Sequence, residues 1–195
     1  MTTREHCLTR TTRETDIHLK LVLDGGGESQ VTTGLGFLDH MLSTLARHAR
    51  FDLELTCQGD LHVDDHHTSE DCALALGQAL DAALGERRGI VRFGEAHAPL
   101  DEALARCVVD LSGRPFPCID LQLRREAIGD WACENIEHFF QSLATKGRMA
   151  LHLDVLKGMN DHHRVEAAFK AMAIALRKAV ALDGSSEVPS EKGVL

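Results

Sequence analysis

One short pattern occurs twice in this chain at matching points, as His66-His67-x-x-Glu70 and His162-His163-x-x-Glu166, and it constrains the fold more than any other feature. Each copy has an acid–histidine pair upstream. Asp39-His40 stands 26 residues before His66, and Glu137-His138 stands 24 before His162. The strand-like runs between them also correspond, Leu53-x-Leu55-x-Cys57 against Leu151-x-Leu153-x-Val155, as do Asp64-Asp65 and Asn160-Asp161. Self-similarity at a long, fixed spacing marks a duplicated unit. We therefore expect an α+β fold of internally duplicated halves, each a small β-sheet with helices packed on one face. The halves would cover about 1–88 and 89–185, with a C-terminal tail at 186–195, and together form a single domain.

Periodicity fills in that frame. Asp16–Leu23 alternates as a half-buried strand, and Asp24-Gly25-Gly26-Gly27-Glu28 supplies the residues of a hairpin turn. Leu38–Ala49 has apolar residues at helical spacing, Phe51–Cys57 alternates as a strand, and Thr68–Leu84 is helical and closed by Gly85. In the second half, strands are expected at Ile90–Phe93, Ala105–Leu111 and Cys118–Leu123. A helix is expected over Asp130–Thr145, a strand over Met149–Val155, a long helix over Asp161–Leu182, and a polar tail after Gly184.

The repeated pattern is a ligand set. On a helix, residues three or four apart share a face, so His66 or His67 can act with Glu70, and His162 or His163 with Glu166. Adjacent histidines lie roughly 100° apart around the axis and are poorly placed for one ion, so each pair could feed two. One such pattern on a surface helix is unremarkable. Two in a duplicated frame point to a metal centre and draw in His40 and His138, which would be weak candidates alone. Imidazole and carboxylate without thiolate suit Mn, Fe or Zn, and octahedral Mn(II) accommodates three histidines, one carboxylate and open positions. His6, His18, His62, His97 and His152 lack a repeat partner at ligand spacing and read as strand or surface residues. His48, two helical turns after His40, could be a helix-end or a pocket residue.

The totals exclude several classes. Twenty-one Lys+Arg against 30 Asp+Glu leave a net charge of −9, the wrong sign for a general nucleic-acid binder. No apolar run approaches membrane-spanning length, and Met1–Cys7 lacks the apolar core of a signal peptide. The six cysteines never form C-x-x-C and fit reduced thiols in a cytoplasmic protein. A ferritin-like oxidase would need four long helices without strands between them. A zinc hydrolase would ordinarily need only one ligand set.

With these residues assembled, the chain resembles the imidazoleglycerol-phosphate dehydratases. The likeness rests on Arg10-x-Thr12-x-Glu14-Thr15, Phe37-Leu38-Asp39-His40-Met41 and Asp64-Asp65-His66-His67-Thr68-x-Glu70-Asp71. It continues through Asp110-Leu111-Ser112-Gly113-Arg114-Pro115, Glu137-His138-Phe139, Asn160-Asp161-His162-His163-x-x-Glu166-Ala167-x-Phe169-Lys170 and Pro189-Ser190-x-Lys192-Gly193. The resemblance implies a lyase of histidine biosynthesis with two Mn(2+) per active site. It would dehydrate imidazole glycerol phosphate to imidazole acetol phosphate within a 24-subunit homo-oligomer whose sites lie at subunit interfaces. It further implies His40, His66, His67, Glu70, His138, His162, His163 and Glu166 as ligands and Glu14 as the acid/base residue. Substrate contacts would come from Glu14, His48, Arg92, Arg114, Lys170, Ser190 and Lys192. Ser69 departs from the family's usual aliphatic residue, and Glu191 from its usual Thr.

The chemistry gives the duplicated ligands a purpose. Expelling water from this substrate means removing a poorly acidic C–H proton with no carbonyl nearby, so the imidazole ring itself must be the electron sink. Two flanking cations could hold it as imidazolate. Ser190 and Lys192 sit in a tail expected to order on phosphate.

Overall fold

The computed structural model describes residues 3–195; Met1 and Thr2, the start of the stretch read as lacking a signal peptide, lie outside the described residues. The first half runs β1 (Glu5–Thr11), β2 (Thr15–Val22), β3 (Ser29–Thr32), α1 (Gly36–Ala49), β4 (Asp52–Gly59) and α2 (His66–Leu84). The second runs β5 (Phe93–Leu100), β6 (Ala103–Asp110), β7 (Phe116–Asp120), a short hairpin of β8 (Ala127–Ile128) and β9 (Trp131–Ala132), α3 (Cys133–Lys146), β10 (Ala150–Lys157) and α4 (Asp161–Ala179).

The two four-stranded sheets have one topology. Their orders are β1-β2-β4-β3 and β5-β6-β10-β7, and in each the third strand of its half runs parallel to the fourth while the other neighbours are antiparallel. In β2, Thr15, Ile17, Leu19 and Leu21 alternate inward, and β10 does the same with Leu151, Leu153 and Val155. Those faces meet the helices. α1 and α2 cover the first sheet, α3 and α4 the second, and the helices close the gap between sheets by packing α2 on α3 and α1 on α4. One continuous core results, filled at its centre by Trp131, Phe139, Phe140 and Phe169. No described helix is long and apolar enough to cross a membrane. All six cysteines are free thiols.

Four local expectations need correction. Asp24–Glu28 does not join a hairpin: β3 pairs with β4, not β2. Asp52 is the cause, because its Oδ1 accepts the N–H groups of Gly26, Gly27 and Glu28 at 2.8, 2.9 and 3.0 Å and carries the loop across to β4. A Cβ on Gly25 would stand 2.5 Å from the Asp52 side chain, so glycine is required there. Ile90–Phe93 is not a strand; β5 begins at Phe93, after Arg92 turns the chain with φ +73°. The strand expected at Cys118–Leu123 lies two to three residues earlier, and α3 starts at Cys133 because Asp130 and Trp131 belong to the β8–β9 hairpin. Strand β1 has no counterpart among the strands expected from periodicity. It is an edge strand whose residues are all exposed or half-buried, so its alternation carries little apolar contrast.

Candidate metal centre

Four helices carry the candidate ligands, and the two that bear the paired histidines, α2 and α4, are fixed at their starts by side chains. The Asp64 carboxylate accepts the N–H of His66 at 2.9 Å, and Asn160 does the same for His162 at 3.0 Å. The acid after each reaches further: Asp65 accepts the N–H of Ala132, and Asp161 those of Arg124 and Arg125. These are the same anchors, executed twice.

Two three-ligand clusters result, one of His66, Glu70 and His138 and one of His40, His162 and Glu166, each with its donor atoms within 4.8 Å of one another. Both straddle the duplication, pairing α2 with α3 in one and α1 with α4 in the other, so neither half owns a complete cluster. In the first, His138 Nε2 is 3.0 Å from Glu70 Oε1 and His66 Nε2 is 3.9 Å from Oε2, with the two rings stacked at 5.1 Å. In the second, His40 and His162 converge on Oε2 of Glu166 at 3.4 and 3.3 Å. All these donors are nitrogen or oxygen and the histidines are 37–50% exposed, a set that fits a divalent cation with room for further ligands.

His67 and His163 join neither cluster. Each gives Nδ1–H to a carboxylate, His67 to Asp60 at 3.0 Å and His163 to Glu102 at 2.8 Å, which leaves Nε2 facing outward as an acceptor. These hydrogen bonds raise both imidazole pKa values. Glu102 is brought down to about 2 by the backbone N–H of Asn160, by His163 and by the N–H of Met159. Asp60, Glu102, and Asn135, whose Oδ1 accepts from His66 Nδ1 at 2.9 Å, were not found by sequence reasoning. Their partners are 7, 61 and 69 residues away, and no local spacing announces the last two. A carboxylate at the tip of the second hairpin, where Glu14 sits in the first, was the available signal for Glu102.

Glu14 is exposed, with Oε1 3.6 Å from His67 Nε2. Its hairpin is clamped to α2: Arg10 and Thr15 both bond Asp71 Oδ2, beside Glu70, and Thr12 accepts the N–H groups of Glu14 and Thr15. Lys170 Nζ lies 2.7 Å from Glu166 Oε1. Burial raises the Glu166 carboxyl, but the contacts with Lys170 and His40 together outweigh it and the net shift is downward. His48 feels Lys170, Glu166 and Arg47, and burial followed by Lys170 lowers its pKa.

The other substrate-contact candidates are elsewhere. Arg92 donates its backbone N–H to Ala179 at the last residue of α4, whereas His162 is in the first turn, about 25 Å away at 1.5 Å per residue. Its guanidinium forks onto Asp110 at 2.7 and 3.1 Å and holds the tail through the Pro189 carbonyl at 2.8 Å. The tail is anchored to the body of the protein as far as Pro189; beyond it, the backbone bonds of Ser190 and Lys192 are local. Arg114 is exposed on the turn after Ser112, and Glu191 is exposed. Ser69, buried, accepts the indole N–H of Trp131 at 2.9 Å and donates to the Asn135 carbonyl, which accounts for a hydroxyl at that position.

A family model described as imidazoleglycerol-phosphate dehydratase matches residues 33–176. A protein of that description from Phytophthora nicotianae is 59% identical over 192 residues; the match covers 98% of this chain but 42% of that longer relative. The Saccharomyces cerevisiae protein is 49% identical over 219 residues and is covered completely, as is this chain. The crystal structure of imidazoleglycerol-phosphate dehydratase from Staphylococcus aureus superposes with a TM-score of 0.83 at 35% identity, covering 91% of this chain and 99% of that one. That from Pyrococcus furiosus, solved in complex with (S)-C348, gives 0.79 at 37%, covering 96% and 100%.

Proposed function

The chain belongs to the imidazoleglycerol-phosphate dehydratase family of histidine-biosynthetic hydro-lyases, and from that premise we propose a two-manganese mechanism for it in the cytoplasm. The substrate is imidazole glycerol phosphate, and the products are imidazole acetol phosphate and water. The observation that carries the metal dependence is the pair of histidine–carboxylate clusters, His66–Glu70–His138 and His40–His162–Glu166. These residues would hold two divalent ions, which would supply Lewis acidity toward the substrate's imidazole ring and favour loss of its N–H proton.

The protein's own residues do the rest. Elimination breaks one C–H and one C–O bond, so one group must take a proton and hydroxide must leave as water. Glu14 is exposed and lies against the outward nitrogen of His67, in reach of anything bound there, and is assigned this proton transfer. His67 and His163, each locked from behind by a carboxylate, present Nε2 as a fourth ligand for a cluster other than their own chain's. His48 and Lys170, beside Glu166, hold the substrate's anionic end.

Completing the site takes a second copy. Arg92, Arg114, Ser190 and Lys192 are the remaining phosphate contacts, and Arg92 is about 25 Å along α4 from the metal ligands of its own chain. A neighbouring copy can bring its α4 C-terminal end to this chain's clusters, in keeping with a 24-subunit shell. Turnover of imidazole glycerol phosphate by the chelator-stripped protein should be absent and should return with Mn(II). No turnover by metal-loaded protein would sink this reading. Mixing Arg92→Ala with His163→Ala subunits should restore part of the activity each variant lacks alone.

A further inference from the structure

We propose that the two metal clusters are unequal: the His66–Glu70–His138 cluster loads first, and the His40–His162–Glu166 cluster loads tightly only when an anion draws Lys170 away from Glu166. This rests on the metal-dependent reading above and goes beyond it by ranking the two sites.

The helices that carry the two glutamates share the His-His-x-x-Glu residues. Of the charges that differ in the turns around them (Thr68 against Arg164, Asp71 against Ala167, Leu74 against Lys170), only Lys170 is paired with one of these glutamates. Four residues after Glu166 stands Lys170; four after Glu70 stands Leu74. In the first cluster Glu70 offers both oxygens to histidines, Oε1 to His138 and Oε2 to His66. In the second, both histidines share Oε2, and Oε1 is taken by the Lys170 ammonium at 2.7 Å. That ammonium opposes an incoming dication twice, by reducing the donor strength of the carboxylate and by direct repulsion. At about 5 Å, even with the dielectric of bulk water, the repulsion alone amounts to about tenfold in affinity.

Preorganisation acts in the same direction. The His66 ring is fixed through Asn135 Oδ1 at 2.9 Å, so its Nε2 is aimed before an ion arrives. The position matching Asn135 in α1 is Phe37, which can only pack on the His162 ring, at 4.9 Å between centroids. Among the described residues, His162 has no hydrogen bond beyond its contact with Glu166 and its backbone cap. The weaker cluster is also the one beside a cationic locus. Lys170 and Arg47 both act on His48, and Lys170 is partly exposed, so an anion can pair with it and release Glu166.

The test is a titration of the intact, metal-stripped protein with Mn(II), reading free ion by electron paramagnetic resonance. Two classes of one ion per chain are expected, at least about tenfold apart in Kd. Glu70→Gln should remove the tight class and Glu166→Gln the weak one. Inorganic phosphate should tighten only the weak class. Lys170→Met should merge the classes and abolish the phosphate effect, and Leu74→Lys should weaken the tight class, with circular dichroism confirming the fold of each. Two equal sites, a split that persists in Lys170→Met, or indifference of the weak class to phosphate would each overturn the proposal while leaving the two-manganese reading standing. Absence of any Mn(II) binding would overturn both.

Discussion

The β1–β2 and β5–β6 hairpins occupy the same place in their sheets, and each has a glutamate at its tip, yet the two carboxylates are used in opposite ways. Glu102 is saturated. One oxygen accepts the N–H groups of Met159 and Asn160, the other the Nδ1–H of His163. Glu14 has no such partners and lies near the opposite nitrogen, Nε2, of the matching histidine, His67. It is free because Asp60, at the exit of β4, already holds the rear of His67. Duplication kept a histidine with a carboxylate behind it in both halves. In the second half that carboxylate is on the hairpin and in the first at the strand exit, which leaves the hairpin glutamate of the first half without a histidine Nδ1 to hold.

Replacing each glutamate by glutamine breaks or sharpens that contrast. Glu14→Gln should lower kcat by about 10²- to 10⁴-fold, the usual weight of a positioned acid or base, with Mn(II) affinity unchanged. Glu102→Gln should do the reverse, weakening Mn(II) binding by about 10- to 100-fold while kcat recovers at saturating metal. Steady-state kinetics against Mn(II) concentration separates the two. If Glu102→Gln lost kcat at every metal concentration and Glu14→Gln were rescued by excess ion, the division of labour would be inverted.

The connections from the second to the third strand differ as well. In the first half the loop wraps Asp52, which accepts three backbone N–H groups; at the matching position β10 begins with Ala150, which can accept nothing. Asp52→Asn should cost about 1–2 kcal/mol at pH 7, read as a urea midpoint, since charge-assisted bonds weaken when the charge is lost. The Asp52 pKa is lowered by the Glu28 N–H foremost, against burial, and further by those of Gly26 and Gly27. Its contribution is therefore complete above the ordinary carboxylate value of 3.8 and disappears as pH falls through the lowered one. The gap between wild type and variant should accordingly narrow below that pH. A gap constant from neutral to strongly acidic pH would show that the loop does not depend on the ionised carboxylate.

What the sequence made legible was local or repeated. Asp64-Asp65-His66-His67 and Asn160-Asp161-His162-His163 declare helix starts by their caps, and Glu70 and Glu166 follow at helical spacing, so the candidate ligand set could be read without a structure. Its grouping into clusters could not. His66 stands with His138 and His162 with His40 because α2 packs on α3 and α1 on α4, a property of tertiary packing with no sequence period. Asn135 and Glu102 act on histidines more than sixty residues away. The glycine run at 25–27 misled for a related reason: the group that directs it, Asp52, lies beyond β3 and α1.

The smallest difference between the halves lies one residue before each ligand glutamate, where Ser69 matches Val165. Both are buried, and Val165 sits in an apolar environment where a methyl pair is sufficient. Ser69 faces Trp131, which is fully buried and whose indole N–H would otherwise lack an acceptor. Ser69→Val makes the halves alike but adds bulk at a buried site, whereas Ser69→Ala removes only the hydroxyl, so in the alanine variant the unsatisfied indole donor dominates. The expected cost of Ser69→Ala is about 1–3 kcal/mol, that of a stranded buried donor. Trp131 is the only tryptophan in the chain, so its fluorescence isolates the local change. An unchanged urea midpoint with an unshifted emission maximum would mean that the indole finds another acceptor, and that the hydroxyl at position 69 has no structural weight.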